Sequence, residues 1–407
     1  MNILVFNCGS SSLKYRLLAM PQERELAGGE AQRVGPPTAE PSRIVHRSGT
    51  ERSEHVVPMP DHASAFEQVM RVLRETGGGA PDAVGHRMVH GGTRFAGHAL
   101  VDPATVEALE AIQGLAPLHN PPATRLVRVC RERYPDLPQV VVFDTAYHST
   151  IPASAASYPL PRELVERWGL RKAGFHGTSH QFVAAEAASM LGIAPDSLDA
   201  VSCHLGSGGA SLCAIREGRS VENTMGYSPL PGLVMSTRAG DLDPAVALRL
   251  LADAGGDGAH VENLLNRRSG VLGLSGLSAD LRDVMAAAAR ERGRAARLDM
   301  TLQVYLWRLR QYLGAYLTLV GTPRAIIFTD TIGESLPDVR RLVCSNLGAF
   351  GVRLDFRRNA EVREGPADVA AATSAVRVLV ITTNEELAIA RAAWCRVVPQ
   401  QGGRQAA

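Results

Sequence analysis

The chain is almost without lysine: 41 of its 43 basic residues are arginine, and only Lys14 and Lys172 remain. An arginine here therefore counts as functional only where a motif surrounds it. Basic and acidic residues nearly balance, and a net charge of +2 gives no basis for a nucleic-acid or membrane surface. No apolar run approaches the roughly 20 residues needed to span a bilayer. Met1 leads straight into a strand-like run with no basic, signal-like leader, so the expected location is cytoplasmic. The six cysteines form no CxxC pair and sit mostly on apolar stretches, which reads as reduced core thiols and not as metal ligands or disulfides. A Walker A sequence is also missing, so a phosphate cradle has to be built another way.

What is present begins at once. Ile3-Leu4-Val5-Phe6 is an apolar run of strand length, and Leu13, Tyr15 and Leu17 alternate with Lys14 and Arg16. Between them Asn7-Cys8-Gly9-Ser10-Ser11-Ser12 makes a tight turn, whose glycine lets backbone approach a ligand and whose hydroxyls and N–H groups can donate to phosphate. An ordinary Ser-rich turn would look the same. The reading gains weight from an echo: Val201 to Ile215 is again strand, Gly206-Ser207-Gly208-Gly209 turn, and strand. Repetition at this spacing suggests a duplicated unit, and 407 residues suffice for two domains with sizeable cores.

Further along, residues 19–60 read as loops with edge strands at 43–47 and 55–59. Asp61 caps a helix with Phe66, Val69, Met70 and Leu73 on one face, and Ala83–His90 is a strand. His86 and His90 stand too far apart on that strand to share a metal, and no third ligand is evident. Asp102-Pro103, Asn120-Pro121 and Asp243-Pro244 start helices. Gln139–Phe143 is a buried strand ending at Asp144, where α/β proteins place ligands. Ser179 reads as the cap of a helix running to Leu191, which aims the loop carrying His176 at a ligand. Thr383 and Asn384 cap a last helix.

NCGSSSLKY, GHRMVHGG, APLHNPP, VFDTAYH, GFHGTSH, TRAGDLDP and TNEELAIAR occur in that order, and they make the chain resemble the acetate kinase family over residues 2 to about 391. That family is a branch of the sugar kinase, heat-shock ATPase and actin superfamily. The resemblance implies an α/β fold of two ribonuclease H-like domains, with duplicated phosphate-binding hairpins around a central cleft. The expected domains are 1–144 plus 384–407, and 145–383 on the nucleotide side. It also implies a homodimer and the reaction ATP + acetate ⇌ ADP + acetyl phosphate. Carried over position by position, Arg87, Asp144, His176, Arg238 and His119 are catalytic, while Val89, Leu118, Phe175 and Pro229 form the acyl pocket. His119 reads equally well as a structural loop histidine. Ser10, Ser12, Lys14, Gly206, Ser207, Gly208, Asp280, Leu281, Arg282, Asp330, Thr331, Ile332 and Gly333 bind phosphate or nucleotide. Asn7 and Glu385 lie at magnesium (or manganese).

Acetate is already ionised at neutral pH, so no general base is needed. The difficulty is charge: two like charges 4 Å apart repel by about 4 kcal/mol at an effective dielectric of 20. Arginine forks and a metal suit that task. A propionate or butyrate kinase is an alternative, as is a non-catalytic nucleotide-gated protein, though the latter needs no acyl pocket. Departures from the family pattern gather on the donor side. Ser207 replaces an asparagine, Ser236 a glycine, Leu281 a phenylalanine, and Asp330-Thr331 an Ala-Gly pair. The expectation is weaker ATP binding, with pyrophosphate as an alternative donor, and backbone strain at Thr331 if its site needs positive φ.

Overall fold

A computed structural model describes residues 1–9, 11–36, 39–76, 79–117, 119–290 and 295–404. It divides into two compact units, Met1–Ser149 with Asn384–Ala407, and Thr150–Thr383. The first unit holds strands β1 (Asn2–Cys8), β2 (Ser12–Ala19), β3 (Arg24–Gln32), β4 (Arg43–Ser48), β5 (Glu51–Val56), β6 (Ala83–Met88), β7 (Ala99–Leu100) and β8 (Gln139–Phe143). Their order is β5-β4-β3-β2-β1-β6-β8-β7. The second unit holds β9 (Ala200–Leu205), β10 (Ala210–Arg216), β11 (Arg219–Asn223), β12 (Ala325–Thr329), β13 (Ala367–Asp368) and β14 (Arg377–Val380), ordered β11-β10-β9-β12-β14-β13.

The two sheets share one plan. In each, three antiparallel strands (β3-β2-β1 and β11-β10-β9) continue into two strands parallel to the first (β6-β8 and β12-β14). This is the ribonuclease H-like order, present twice, as the echoed hairpins imply.

The apolar run of β1 is continuous because both faces of its sheet are covered. Leu4, Phe6, Leu13, Tyr15 and Leu17 pack with Phe66, Val69 and Leu73 of the helix His62–Glu75. On the other face Ile3, Val5, Val140 and Val142 pack with Ile389, Ala390, Ala393 and Val397 of the helix Glu385–Arg404. Each such side chain contributes about 1.5–3 kcal/mol when fully buried. The last helix comes close because residue 85 is glycine: a Cβ there would lie 2.8 Å from Ile389 Cγ2. That approach delivers Glu385, the first residue of the helix, to the sheet.

Three local expectations change. Residues 24–32, read as loop, form β3, and the strand expected at 55–59 is β5, Glu51–Val56. Glycines usually weaken a strand, but Gly29 pairs with Tyr15, and a Cβ there would meet Val45 O at 2.3 Å and Tyr15 Oη at 2.7 Å. Ser179 is no cap; His176 occupies the N-cap position of the helix Gly177–Leu191 at φ +58°, and Ser179 is inside it. Asp61, Asp102 and Asp243 do cap their helices, and Asn384 Oδ1 accepts the Leu387 N–H at 3.1 Å. Cys395 is exposed, and the other five cysteines are buried free thiols.

Candidate active site

In the first unit the candidate side chains Arg87 and Asp144 collect at the carboxyl ends of the parallel strands. Arg87 is next to last in β6 and Asp144 directly follows β8, with the Asp144 N–H on the Met88 carbonyl at 2.9 Å. Arg87 grips Asp144 by one edge: Nε lies 3.2 and 3.1 Å from the two carboxylate oxygens and Nη2 lies 2.7 Å from Oδ2. Its Nη1 donates to Asn7 Oδ1 at 3.2 Å and lies 3.4 Å from Glu385 Oε2. Burial would lower the pKa of this guanidinium, but Asp144 and Glu385 outweigh it and raise it, so the charge is permanent. The edge taken by Asp144 cannot also chelate a substrate carboxylate; what Arg87 offers a ligand is its Nη side.

Lys14 stands opposite Asn7 in the β1/β2 ladder and is exposed, lining a cleft with Arg16, Arg47 and Glu386. The turn is closed by Gly9 N–H on Ser12 O at 2.9 Å, and His62 Nε2 donates to Gly9 O at 2.9 Å. Ser10 and Leu118 lie outside the described residues. Val89 is half-buried just past β6. His119 is half-buried at the N-cap of the helix Asn120–Arg133, and Asn120 beside it accepts from His90 N at 3.2 Å and donates to His90 O at 2.9 Å. His62 and Asn120 escaped sequence reading as site-holding residues. Only the Asn-Pro-Pro helix start drew notice to Asn120.

The second unit closes its turn in the same way, Gly206 N–H on Gly209 O at 3.0 Å. Here His176, Gly209 and Arg238 come together: a Cβ on Gly209 would sit 3.3 Å from Arg238 Nη1 and 3.3 Å from His176 Cε1 and Nε2. His176 Nδ1 meets Ser211 Oγ at 2.9 Å, and the same hydroxyl meets His180 Nε2 at 2.9 Å. His180 is fully buried and reaches Ser202 Oγ through Nδ1 at 2.9 Å. Burial lowers the Arg238 pKa, and no carboxylate of the described residues pairs with it.

Phe175 is buried, and Asn223 clamps its backbone from both sides, accepting its N–H and donating to its carbonyl at 3.3 Å each. Lys172 braces this loop by pairing with Glu222 and donating to Asn223 O at 3.2 Å. Pro229 lies three residues beyond Gly226, whose carbonyl takes the N–H groups of Ala173 and Gly174.

On the donor side, Asp280 and Arg282 engage each other, with Arg282 Nε 2.9 and 3.1 Å from the carboxylate oxygens. Leu281 is buried, as is Ile332. The positive φ falls on Asp330, at +65°, and not on Thr331, which lies in the helix Asp330–Ser335. Asp330 follows β12, whose Thr329 pairs with His204, so its carboxylate meets His204 Nε2 at 3.0 Å. Gly333 O accepts from the buried Arg340 at 2.8 Å. Among the described residues no cluster of three or more His, Cys, Asp and Glu side chains is arranged to hold a metal, and no helix is long and apolar enough to cross a membrane.

Two sheets of one topology, each with a glycine turn, with Arg87 in β6 of the first and Arg238 beside the turn of the second, fit a phosphotransferase with two ribonuclease H-like units. The chain belongs to the acetokinase family, whose model matches residues 2–391. It is 44% identical to the acetate kinase of Natranaerobius thermophilus over 97% of this chain and 98% of that one. The acetate kinase structure from Porphyromonas gingivalis matches at 36% identity and TM-score 0.90, covering 97% and 99% of the two chains. A propionate kinase structure from Francisella tularensis matches at 33% identity and TM-score 0.87, covering 96% and 98%. The activity is that of an acetate kinase, with ATP as cosubstrate.

Proposed function

We propose that Arg87, His176 and Arg238 carry the transfer, with Asp144 positioning Arg87. An acetate oxygen forms a bond to the terminal phosphorus of ATP as the bond to the ADP oxygen breaks. Charge spreads over the equatorial oxygens of the moving group, and preset donors are worth most there. His176 and Arg238, brought together at Gly209, supply such donors in the second unit. Arg87 supplies its Nη side in the first. Phe175 and Pro229, with Val89 and Leu118, serve the acyl group. Gly206–Gly209, Asp280–Arg282, Ile332 and Gly333 serve the donor, and Ser10, Ser12 and Lys14 serve phosphate from the first hairpin.

Asn7 Oδ1 and Glu385 Oε2 converge on Arg87 Nη1. Asn7 and Glu385 are the oxygen donors that would hold magnesium, which takes one or two protein oxygens and completes its shell with water and phosphate. When bound it neutralises donor phosphate charge. We further propose a cytoplasmic homodimer, on the resemblance alone.

The observation that carries this reading is the convergence of His176 and Arg238 on the second glycine turn. A coupled assay across acetate, propionate and butyrate with ATP tests it. Acetate should give the highest kcat/KM, with propionate accepted; the similarity to a propionate kinase makes that pair the informative comparison. Butyrate outcompeting acetate would overturn the acyl assignment.

A further inference from the structure

The departures on the donor side are joined to one another. Ser207 N–H donates to Thr331 Oγ1 at 3.0 Å, and Thr331 Oγ1 donates to Asp330 Oδ1 at 2.8 Å. The Thr331 N–H reaches the same carboxylate oxygen at 2.5 Å, and His204 Nε2 lies 3.0 Å from Asp330 Oδ2. Ser236 Oγ donates to Ser207 O. The hydrogens are not free to be placed otherwise. A carboxylate only accepts, so the single hydroxyl proton of Thr331 goes to Asp330, and the oxygen is left as acceptor for Ser207.

Both peptide groups flanking Ser207 are thus pinned, one by Thr331 and the other by Ser236. Asp330 holds the far end in a left-handed conformation that aspartate tolerates better than most residues. The Ala-Gly pair of the family pattern has neither the hydroxyl nor the carboxylate for this chain of bonds. Its consequence concerns the turn: Ser207 is exposed, and its N–H belongs to the backbone that phosphate would meet.

We propose that Thr331, held by Asp330, is a specificity-determining residue that occupies the Ser207 amide and so weakens the binding of the phosphoryl donor without affecting acetate. This rests on the reading that the Gly206–Gly209 turn holds donor phosphate. Thr331→Val keeps the shape and removes the acceptor, while Thr331→Ser keeps the hydroxyl.

The experiment is steady-state kinetics of the full chain with MgATP and acetate varied separately, beside a melting curve for each variant. Thr331→Val should lower the KM for ATP about five-fold with the KM for acetate unchanged, and Thr331→Ser should match the wild type. An ATP KM in Thr331→Val equal to or above wild type overturns the proposal, as does an equal fall in both variants, because Thr331→Ser still offers the Ser207 amide its hydroxyl acceptor. Ser207→Asp separates the underlying reading: a more than ten-fold rise in ATP KM supports the turn as the donor site. An unchanged value removes that reading and the proposal with it.

Discussion

Arg87 and Asp144 meet edge to edge, Nε and Nη2 of the guanidinium against both carboxylate oxygens, with the Asp144 side chain only 3% exposed and that of Arg87 21%. The pair explains why a carboxylate belongs in a site that must attract anions. It holds the arginine by its Nε–Nη2 edge, while Nη1 lies against Asn7 and Glu385.

Arg87→Ala should therefore do two things. Loss of a preset donor costs about 2.7–4 kcal/mol in the transition state, a fall in kcat of about 10²–10³. Removing the guanidinium that pairs with the buried Asp144 carboxylate should also destabilise the fold by about 3–5 kcal/mol. Arg238→Ala should show the same loss of turnover with little change in melting temperature, since no carboxylate of the described residues depends on it. Turnover and thermal unfolding measured on both variants check the contrast; equal melting temperatures would mean that Asp144 does not rely on Arg87.

Ser211 is fully buried, and its hydroxyl meets His176 Nδ1 and His180 Nε2 at 2.9 Å each. Ser211→Ala removes the hydroxyl that both rings meet, at about 1–3 kcal/mol. Because His176 loses the bond that fixes its ring, kcat should fall by about ten-fold or more while the KM for acetate holds. Ser211→Thr, which restores a hydroxyl, should recover part of the rate. Wild-type kcat in Ser211→Ala would remove this positioning role.

Asp330 and Glu334 should shape the acid stability in opposite senses. Burial would raise the Asp330 pKa, but the hydrogen bond and charge of His204 and two bonds from Thr331 outweigh it, leaving it well below the ordinary 3.8. A carboxyl lowered in the fold stabilises above its unfolded pKa, and that contribution is lost as pH falls through the folded value. Glu334 is raised, chiefly by burial, so its contribution is present at low pH and lost as pH rises through the raised value. Urea midpoints measured from about pH 6 to pH 3 should fall less steeply in Asp330→Asn than in wild type, and more steeply in Glu334→Gln. Parallel curves would contradict the Asp330–His204 contact.

What could be read in advance was local. The hairpins, the aspartate caps and the strand ending at Asp144 are each set by a few adjacent residues, so their periodicity and turn chemistry are visible in the chain. What could not be read depends on partners far away in sequence. Strand β3 exists because Tyr15 and Val45 close over Gly29. The grip of Arg87 spans 57 positions and the bond from Ser207 to Thr331 spans 124. The strain expected at Thr331 falls on Asp330 instead, because the carboxylate turns back to its own neighbour and to His204. Ser179 resembles a helix cap by type, yet its hydroxyl faces His204 Nδ1 at 2.9 Å inside the fold.

The acyl preference offers a final test, through Phe175. Its ring is 2% exposed, and its backbone is fixed by Asn223, which is itself fully buried and also accepts the Met225 N–H at 2.9 Å. Those bonds fix the backbone from which the ring projects, and burial restrains the ring itself, so the space beside it is set by its size. Each methylene admitted or refused by such a pocket is worth about 1–3 kcal/mol. Phe175→Leu should raise the ratio of kcat/KM for propionate over acetate by about ten-fold, and Phe175→Ala should raise it further at a stability cost of about 3–5 kcal/mol. Asn223→Ala should instead lower the rate with both acids, because the loop that presents His176 loses its anchor while the ring keeps its size. A propionate-to-acetate ratio that stays at the wild-type value in Phe175→Leu, with melting temperature as the control for folding, would take Phe175 out of the acyl pocket.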